Sequence, residues 1–406
     1  MAVQDGYGKS SGSESLVFAY DLKDTVNSFR GEPTTNLVAT IASYYGGNVS
    51  TSYANGQYQT SAIVINGVDN TVPSGNFSQV SGTTTDTNSQ TYWTIQGNAV
   101  VNESNQTVSF SVYLKGNGTC HLATYNDQCC YQVGPDITLT STWTRYSITK
   151  SLTTFADYHW VAVRGITTST NVFISSAQWE RNSHSTPFTP SSRSNTQGLL
   201  DLTGNRTLNI SNVSFDSNAQ MTFDGTSDYV EVPFETILND CSFEILFRAT
   251  STKTYQYPIA LRNPNQGSSY SFYFDMNDPD GSGFAQTMWS YWNSGGSPYS
   301  VIPKTGTYGD WNDSTWRHYV FTRSTTNSPY TFHYMNGNLV PNINRSGDQT
   351  IQFGNGSGYN LYIGSYASNF GYFVGDLPLI KIYNRVLSPT EITNNYLKYK
   401  RQYGLT

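Results

Sequence analysis

The sequence predicts an all-β chain of two antiparallel β-sandwich domains with one short C-terminal helix. Three observations carry this. First, aromatics make up 15% of the 406 residues, with 31 Tyr, while charged residues reach only 12%. Second, the rest is rich in Ser, Thr, Asn and Gly and poor in Ala, Leu, Glu and Lys. Such a mixture suits pleated, half-buried strands joined by polar turns, not helices. Third, apolar and polar residues alternate in short runs along the chain, the period of a strand with one buried face. The length allows two or three domains with separate cores, and the aromatic content excludes disorder.

The elements follow in order. Met1–Ser15 is Gly/Ser-rich and reads as a mobile tail. Leu16–Leu22 is a short apolar strand, followed by the turn formers Gly31 and Pro33. Val108, Phe110, Val112 and Leu114 alternate with Ser109, Ser111 and Tyr113, giving a strand that ends at the Gly116-Asn117-Gly118 turn. Trp143–Ile148, Trp160–Val163 and Val172–Ile174 are further strands, and Pro187, Pro190 and the polar stretch to Gly198 read as a linker. Beyond Leu199, Phe243, Ile245 and Phe247 alternate, Tyr270–Phe274 is strongly aromatic, and Arg317–Thr322 with Tyr330–Tyr334 reads as a hairpin pair. Asn336-Gly337 is the strongest hairpin-turn signal. Leu361–Ile363 and Leu379–Tyr383 complete the strands.

The helix is marked at both ends. Ser388 caps it, Pro389 occupies its first position and Glu391 completes a capping box. Ile392, Tyr396 and Tyr399 share a face. Lys398, Lys400 and Arg401 sit at the negative end of the dipole, and Gly404 stops the helix.

Charge and cysteine content narrow the function. The net charge is -6 with no basic cluster, which argues against nucleic acid as partner. No apolar run is long enough to span a bilayer, and the first residues lack a secretory pattern, so assembly in a cytoplasm is expected. Four cysteines, Cys120, Cys129, Cys130 and Cys241, do not suggest a disulfide framework. Cys120-His121 with Cys129-Cys130 could offer zinc ligands, but the spacing matches no common site, and free thiols in a hairpin are the simpler reading. Triplets such as Asn117-Gly118-Thr119 and Asn205-Arg206-Thr207 read as by-products of composition rather than glycan acceptors.

Several blocks in the second half carry a resemblance. They are Phe223-Asp224-Gly225-Thr226-Ser227-Asp228-Tyr229-Val230, Trp316-Arg317-His318-Tyr319-Val320, Tyr334-Met335-Asn336-Gly337, Leu361-Tyr362-Ile363-Gly364, Gly375-Asp376-Leu377 and Ile382–Ser388. In this order they resemble the concanavalin A-like lectin/laminin-G family, which implies two antiparallel sheets packed face to face. The first half, through Val108–Lys115, Trp143–Ser147, Ser176–Glu180 and Thr186–Pro190, resembles a carbohydrate-binding-module-like jelly roll of phage structural and tail-fibre proteins. The two resemblances together imply a nested order: a tail over 1–15, the first strand and turn of the lectin-like domain over 16–34, an inserted jelly roll over 35–193, and the rest of the sandwich over 194–406. Two modules in a row after a flexible tail are the alternative.

Catalysis finds no support in the motifs. A retaining glycan hydrolase needs paired carboxylates about 5 Å apart. Glu231 and Glu235, with Pro233 between them, read as rim charges. No Ser elbow, phosphate-binding Gly loop or HExxH occurs, and His318 reads as a packed, hydrogen-bonded core histidine. Calcium is the possible metal, with Asp275, Asn277, Asp278 and Asp280 as a loop of oxygen ligands; Pro279 falls at a ligand position, which favours a solvated acidic turn instead. For glycan binding, Trp289, Tyr291, Trp292 and Tyr299, with Trp311 beyond them, form a candidate loop patch, or else some of them are core strand residues.

The sequence thus points to a protein that binds rather than catalyses. The resemblances imply a structural protein on a virion exterior, as head decoration, fibre or tail-associated adhesin. Other virion proteins and host-surface glycans would be its partners. Homo-oligomerisation, for instance as a trimer, would add avidity. A soluble bacterial lectin and a glycan hydrolase on a lectin-like fold are the alternatives.

Overall fold

A computed structural model describes residues 15–37, 49–50, 63–81, 92–95, 106–126, 130–152, 159–165, 171–215, 221–265, 272–279, 285–291, 299–302, 311, 313–326, 329–341, 344–346, 352–354 and 356–405. The expected tail up to residue 14, and also Cys129, Asp280 and Trp292, lie outside these residues. The chain divides into two compact units, one formed by the residues up to Glu32 and from Asn195 onward, the other by Pro33–Ser194. The second unit therefore interrupts the first in sequence.

The first unit is a β-sandwich of two antiparallel sheets. One eight-stranded sheet runs Ser214–Phe215, Met221–Asp224, Val374–Tyr383, Cys241–Ala249, Arg317–Arg323, Thr331–Met335, Asn338–Leu339, with Leu16–Asp21 also paired to Val374–Tyr383. The other runs Asn209–Ser211, Tyr229–Pro233, Asn360–Ile363, Gln256–Arg262, Phe272–Pro279, Ala285–Tyr291, Tyr299–Ile302, Asn344–Ser346. Alternation explains how they pack. Phe243, Ile245 and Phe247 face inward from the first sheet, and Ile259, Leu261, Phe272, Phe274, Leu361 and Ile363 from the second. Phe243 stacks on Phe272 at 4.0 Å between centroids, and Phe274 on Tyr319 at 5.3 Å. Burying such side chains stabilises the sandwich by about 1.5–3 kcal/mol each.

The hairpin pair Arg317–Arg323 and Thr331–Met335 forms in register. Asn336 and Gly337, with φ of 49° and 79°, then turn the chain back into Asn338–Leu339 as a type I′ turn requires. The helix spans Pro389–Tyr403 with the full capping box and a left-handed Gly404. Its Ile392 and Tyr399 are buried against the outer side of the first sheet, beside Val320, Tyr334 and Tyr383 and beside Leu246 and Leu379 respectively. Among the described residues no helix is long and apolar enough to cross a membrane.

The second unit is a smaller sandwich. A five-stranded sheet runs Thr144–Leu152, Gln106–Asn117, Asn171–Glu180, Asn76–Ser81, Ile63–Val68, and a six-stranded one is centred on Thr119–Asn126 and His159–Gly165. Val108, Phe110, Val112 and Leu114 enter a core shared with Leu122, Val161, Val163, Val172 and Trp179. The stretch expected as a linker departs from that reading, because its residues from Thr186 to Arg193 are anchored. Thr186 N–H donates to Glu180 Oε1 at 2.8 Å, Thr189 N–H to Gln178 Oε1 at 2.7 Å, and Arg145 Nη2 to the Thr186 carbonyl at 2.6 Å. Buried polar groups of the strand Asn171–Glu180 need partners, and this segment supplies them. Ser192–Arg193 then pairs with Thr34–Thr35, so the segments entering and leaving this unit run side by side.

Candidate functional site

Because strands alternate, the second sheet of the first unit presents a different set of residues on the side away from the core. Tyr229 and Glu231 come from one strand and Asn360 and Tyr362 from the next. Ala260 and Arg262 come from the third and Tyr273 from the fourth. Register aligns them: Glu231 lies opposite Tyr362, Tyr362 opposite Ala260, Ala260 opposite Tyr273, and Arg262 opposite Asn360. The result is an outer face of tyrosines interleaved with polar groups, among them the Glu231 carboxylate, the Asn360 amide and the Arg262 guanidinium.

The aromatics on this face are layered. Tyr257, Tyr273 and Tyr362 are buried against the sheet. Tyr366 packs over Tyr257 at 4.9 Å and over Tyr273 at 5.3 Å, and Tyr229 flanks Tyr362 at 6.4 Å. Outermost are Tyr255, 40% exposed, and Phe370, 48% exposed, whose rings lie 6.1 Å apart. A tight turn delivers Phe370: its N–H and that of Ala367 bond to each other's carbonyls at 3.4 Å. Gly371 makes this possible, since with φ of 73° it lies where a Cβ would come within 2.3 Å of the Tyr257 ring. Tyr255 adopts a φ of 55°, a left-handed conformation costly for a non-glycine residue and frequent at functional positions.

The polar groups are ordered in turn. Asn360 Nδ2 donates to Glu231 Oε1 at 2.7 Å. Burial pushes the Tyr362 phenol above its ordinary value, so it remains a neutral hydroxyl; the Asn360 hydrogen bond and the Arg262 charge oppose this shift and the Glu231 charge adds to it. The Arg262 guanidinium stacks over Tyr366 at 4.2 Å from the ring centroid. Partly exposed rings thus lie beside directional polar groups, an arrangement that offers a ligand both apolar contact and hydrogen bonds.

The described residues singled out from sequence do not form one loop patch. Trp311 is not exposed: it is 5% accessible and packs between Phe247, Phe274 and Tyr319 at 5.6–6.0 Å, because the sandwich interior needs a large apolar filler there. Trp289 and Tyr291 lie in the strand Ala285–Tyr291 rather than in a loop, at positions paired with the core residues Phe274 and Phe272. Tyr299 opens the strand Tyr299–Ile302 opposite Ser290, which is itself opposite Tyr273, so its register row is that of the outer face. The acidic stretch is a strand too. Asp275, Asn277 and Asp278 belong to Phe272–Pro279, which pairs with Ala285–Tyr291, and Asp275 is buried. Among the described residues no group of three or more His, Cys, Asp or Glu could hold a metal.

Glu231 is engaged by Asn360, while Glu235 is exposed. His318 is fully buried and its Nε2 meets Glu244 Oε1 at 2.9 Å. Cys120 and Cys241 are buried free thiols. The second unit has an aromatic cluster of its own, where Lys115 Nζ sits 4.6 Å from the Trp143 ring and 5.1 Å from that of Phe173. Its carboxylate neighbour Asp69 accepts from Lys115 and from Trp143 Nε1, and these bonds, after those from Thr71, hold its carboxyl well below the usual range.

A family model described as the concanavalin A-like lectin/glucanases superfamily matches residues 224–393. No curated protein sequence matches the chain. Among solved structures, the receptor binding domain of botulinum neurotoxin D is 13% identical, with a TM-score of 0.38, covering 51% of this chain and 51% of that one. The chain thus spans about half the length of the neurotoxin domains. Domain 4 of the extracellular arabinanase AbnA from Geobacillus stearothermophilus, in complex with arabinotriose, is 16% identical, with a TM-score of 0.34 and coverage of 48% and 90%. The carbohydrate-binding module of the Ruminococcus gnavus IT-sialidase, bound to α2,3-sialyllactose, is 16% identical, with a TM-score of 0.31 and coverage of 39% and 83%.

Proposed function

We propose that the chain is a non-catalytic binding protein and that the outer tyrosine face of its lectin-like unit takes a glycan. One observation carries this reading: buried Tyr257, Tyr273 and Tyr362 support an outward layer of Tyr229, Tyr255, Tyr366 and Phe370, with Glu231, Asn360 and Arg262 set among the rings. Exposed aromatic clusters of this kind on a soluble surface mark interaction sites. Glycan-array screening tests the reading. Wild-type chain is expected to bind a subset of glycans, and Tyr366→Ala to weaken that binding at least tenfold at an unchanged melting temperature. Binding that survives Tyr366→Ala and Phe370→Ala together would move the site off this face. Incubation of the bound glycan with the chain is expected to release no product; hydrolysis would replace binding with catalysis.

We place this binding on a virion exterior, among other virion proteins, as the resemblance of the first half to phage structural proteins suggests. Homo-oligomerisation would multiply weak sugar contacts there. Antibody-labelled electron microscopy of purified particles tests the setting: label over the head or at fibre or tail tips supports it, and unlabelled particles would return the reading to a soluble lectin.

A further inference from the structure

We propose that this face selects a carboxylate-bearing saccharide and that Arg262 is the residue that recognises its anion. The inference rests on the binding reading above and narrows its ligand class. Arg262 ends the strand Gln256–Arg262 on the outward side, opposite Asn360. It is partly buried, and its Nε is enclosed without a hydrogen-bond partner. Among the described residues it makes no ion pair. Three other arginines of the same unit have carboxylate partners, Arg248 with Asp376 at 2.6 Å, Arg317 with Asp313 at 2.7 Å and Arg385 with Glu391 at 2.6 Å, and Arg206 and Arg323 donate to the Val17 and Asn239 carbonyls. A half-buried cation without a counterion is costly to keep, and here it stands within the candidate site.

Its geometry suits an anion. Its Cζ lies 4.2 Å from the centroid of the Tyr366 ring, and a planar guanidinium fork favours bidentate carboxylate recognition over a point charge. Glu231 and Asp275 share this side of the sheet, and among the described residues neither pairs with Arg262: Glu231 lies one strand farther across, opposite Tyr362, and accepts from Asn360 at 2.7 Å, and Asp275 belongs to the neighbouring strand Phe272–Pro279. A ligand lying across the strand Asn360–Ile363 would place its carboxylate at Arg262, a sugar face on Tyr366 or Tyr229, and hydroxyls toward Asn360 and Glu231. Glu231 would repel a second acidic group, so the expected ligand carries isolated acidic residues rather than a continuous polyanion.

The test is a glycan array of matched pairs with and without a carboxylate, such as sialyllactose with lactose and oligogalacturonate with its methyl ester. It is probed with full-length wild type, Arg262→Ala and Arg262→Lys, each first checked by thermal unfolding. The expected result is at least tenfold preference of wild type for the acidic member. Arg262→Ala should abolish the preference by lowering binding of the acidic member at least tenfold more than that of its neutral counterpart, and Arg262→Lys should restore only part of it because the fork is lost. Equal binding of acidic and neutral members, unchanged by Arg262→Ala, would overturn the acidic class and leave the binding face standing. No binding by wild type to any glycan would overturn the face reading, and this inference with it.

Discussion

Glu244 and His318, on adjacent strands, meet at 2.9 Å beneath the C-terminal helix, and both are fully buried. The same carboxylate accepts from Tyr383 Oη at 3.0 Å and from Asn395 Nδ2 of the helix at 2.9 Å. It therefore ties the sheet to the helix that covers it. Burial pushes the Glu244 carboxyl up, but the hydrogen bond and charge of His318, the Lys381 charge and the Tyr383 bond outweigh this and hold it below its ordinary value. Removing one partner of a buried pair costs about 3–5 kcal/mol, so Glu244→Ala is expected to unfold at markedly lower denaturant concentration. Since the folded pKa is the lower one, the ionised group stabilises the fold above the ordinary value of 4.5, and this is lost as pH falls. The deficit of Glu244→Gln relative to wild type should accordingly shrink between pH 7 and pH 3; a constant deficit would contradict the pairing.

Asp228 gives the opposite slope. Its Oδ2 accepts the Asp224 N–H at 2.9 Å in the turn Asp224–Asp228. Burial, with the nearby Asp224 charge, pushes its carboxyl up to about 6, against the lowering effect of that hydrogen bond. The folded state then holds the proton more tightly than the unfolded one, so this contribution is present at acid pH and lost as pH rises through about 6. Asp228→Asn keeps the acceptor and removes the charge. It is expected to raise the melting temperature at pH 7.5 and to give no gain at pH 3.5.

Gly371 is the point where the outer face is most exposed to a small change. An alanine there would meet the Tyr257 ring at 2.3 Å and hold a φ of 73°. The expected cost is about 1–3 kcal/mol from the backbone strain alone, measured by denaturant unfolding, together with weaker glycan binding as Tyr366 and Phe370 shift. Full stability and full binding in Gly371→Ala would contradict the packing.

The thiols offer a chemical check. Burial pushes Cys120 and Cys241 up to about 12. The thiolate is the reactive form, so site-resolved maleimide labelling at pH 7.5 should leave both unmodified in the native chain and modify both after unfolding. Labelling of either within minutes under native conditions would contradict their placement.

Local signals in the sequence were strong where a single segment carries the whole pattern. Ser388, Pro389, Glu391 and Gly404 define the helix because capping acts within a few residues. Asn336-Gly337 specifies its turn for the same reason. Phe243, Ile245 and Phe247 show their buried face by spacing alone. The tyrosine face was not legible in this way, because Tyr229, Tyr362, Tyr257 and Tyr273 come from four strands brought together only by register. Its one local trace is the outward parity of Tyr229 with Glu231 and of Asn360 with Tyr362. Trp311 and the Asp275–Asp278 stretch misled for a related reason. A lone tryptophan carries no period, and an acidic run looks like a loop until its partner strand pairs with it.

The most direct measurement is hydroxyl-radical footprinting of the full chain with and without the glycan bound best on the array. Protection is expected at Tyr229, Tyr255, Tyr366 and Phe370, with Phe77 and Trp143 of the other unit unchanged. Protection confined to residues outside the tyrosine face, with those four oxidised equally in both states, would contradict the account.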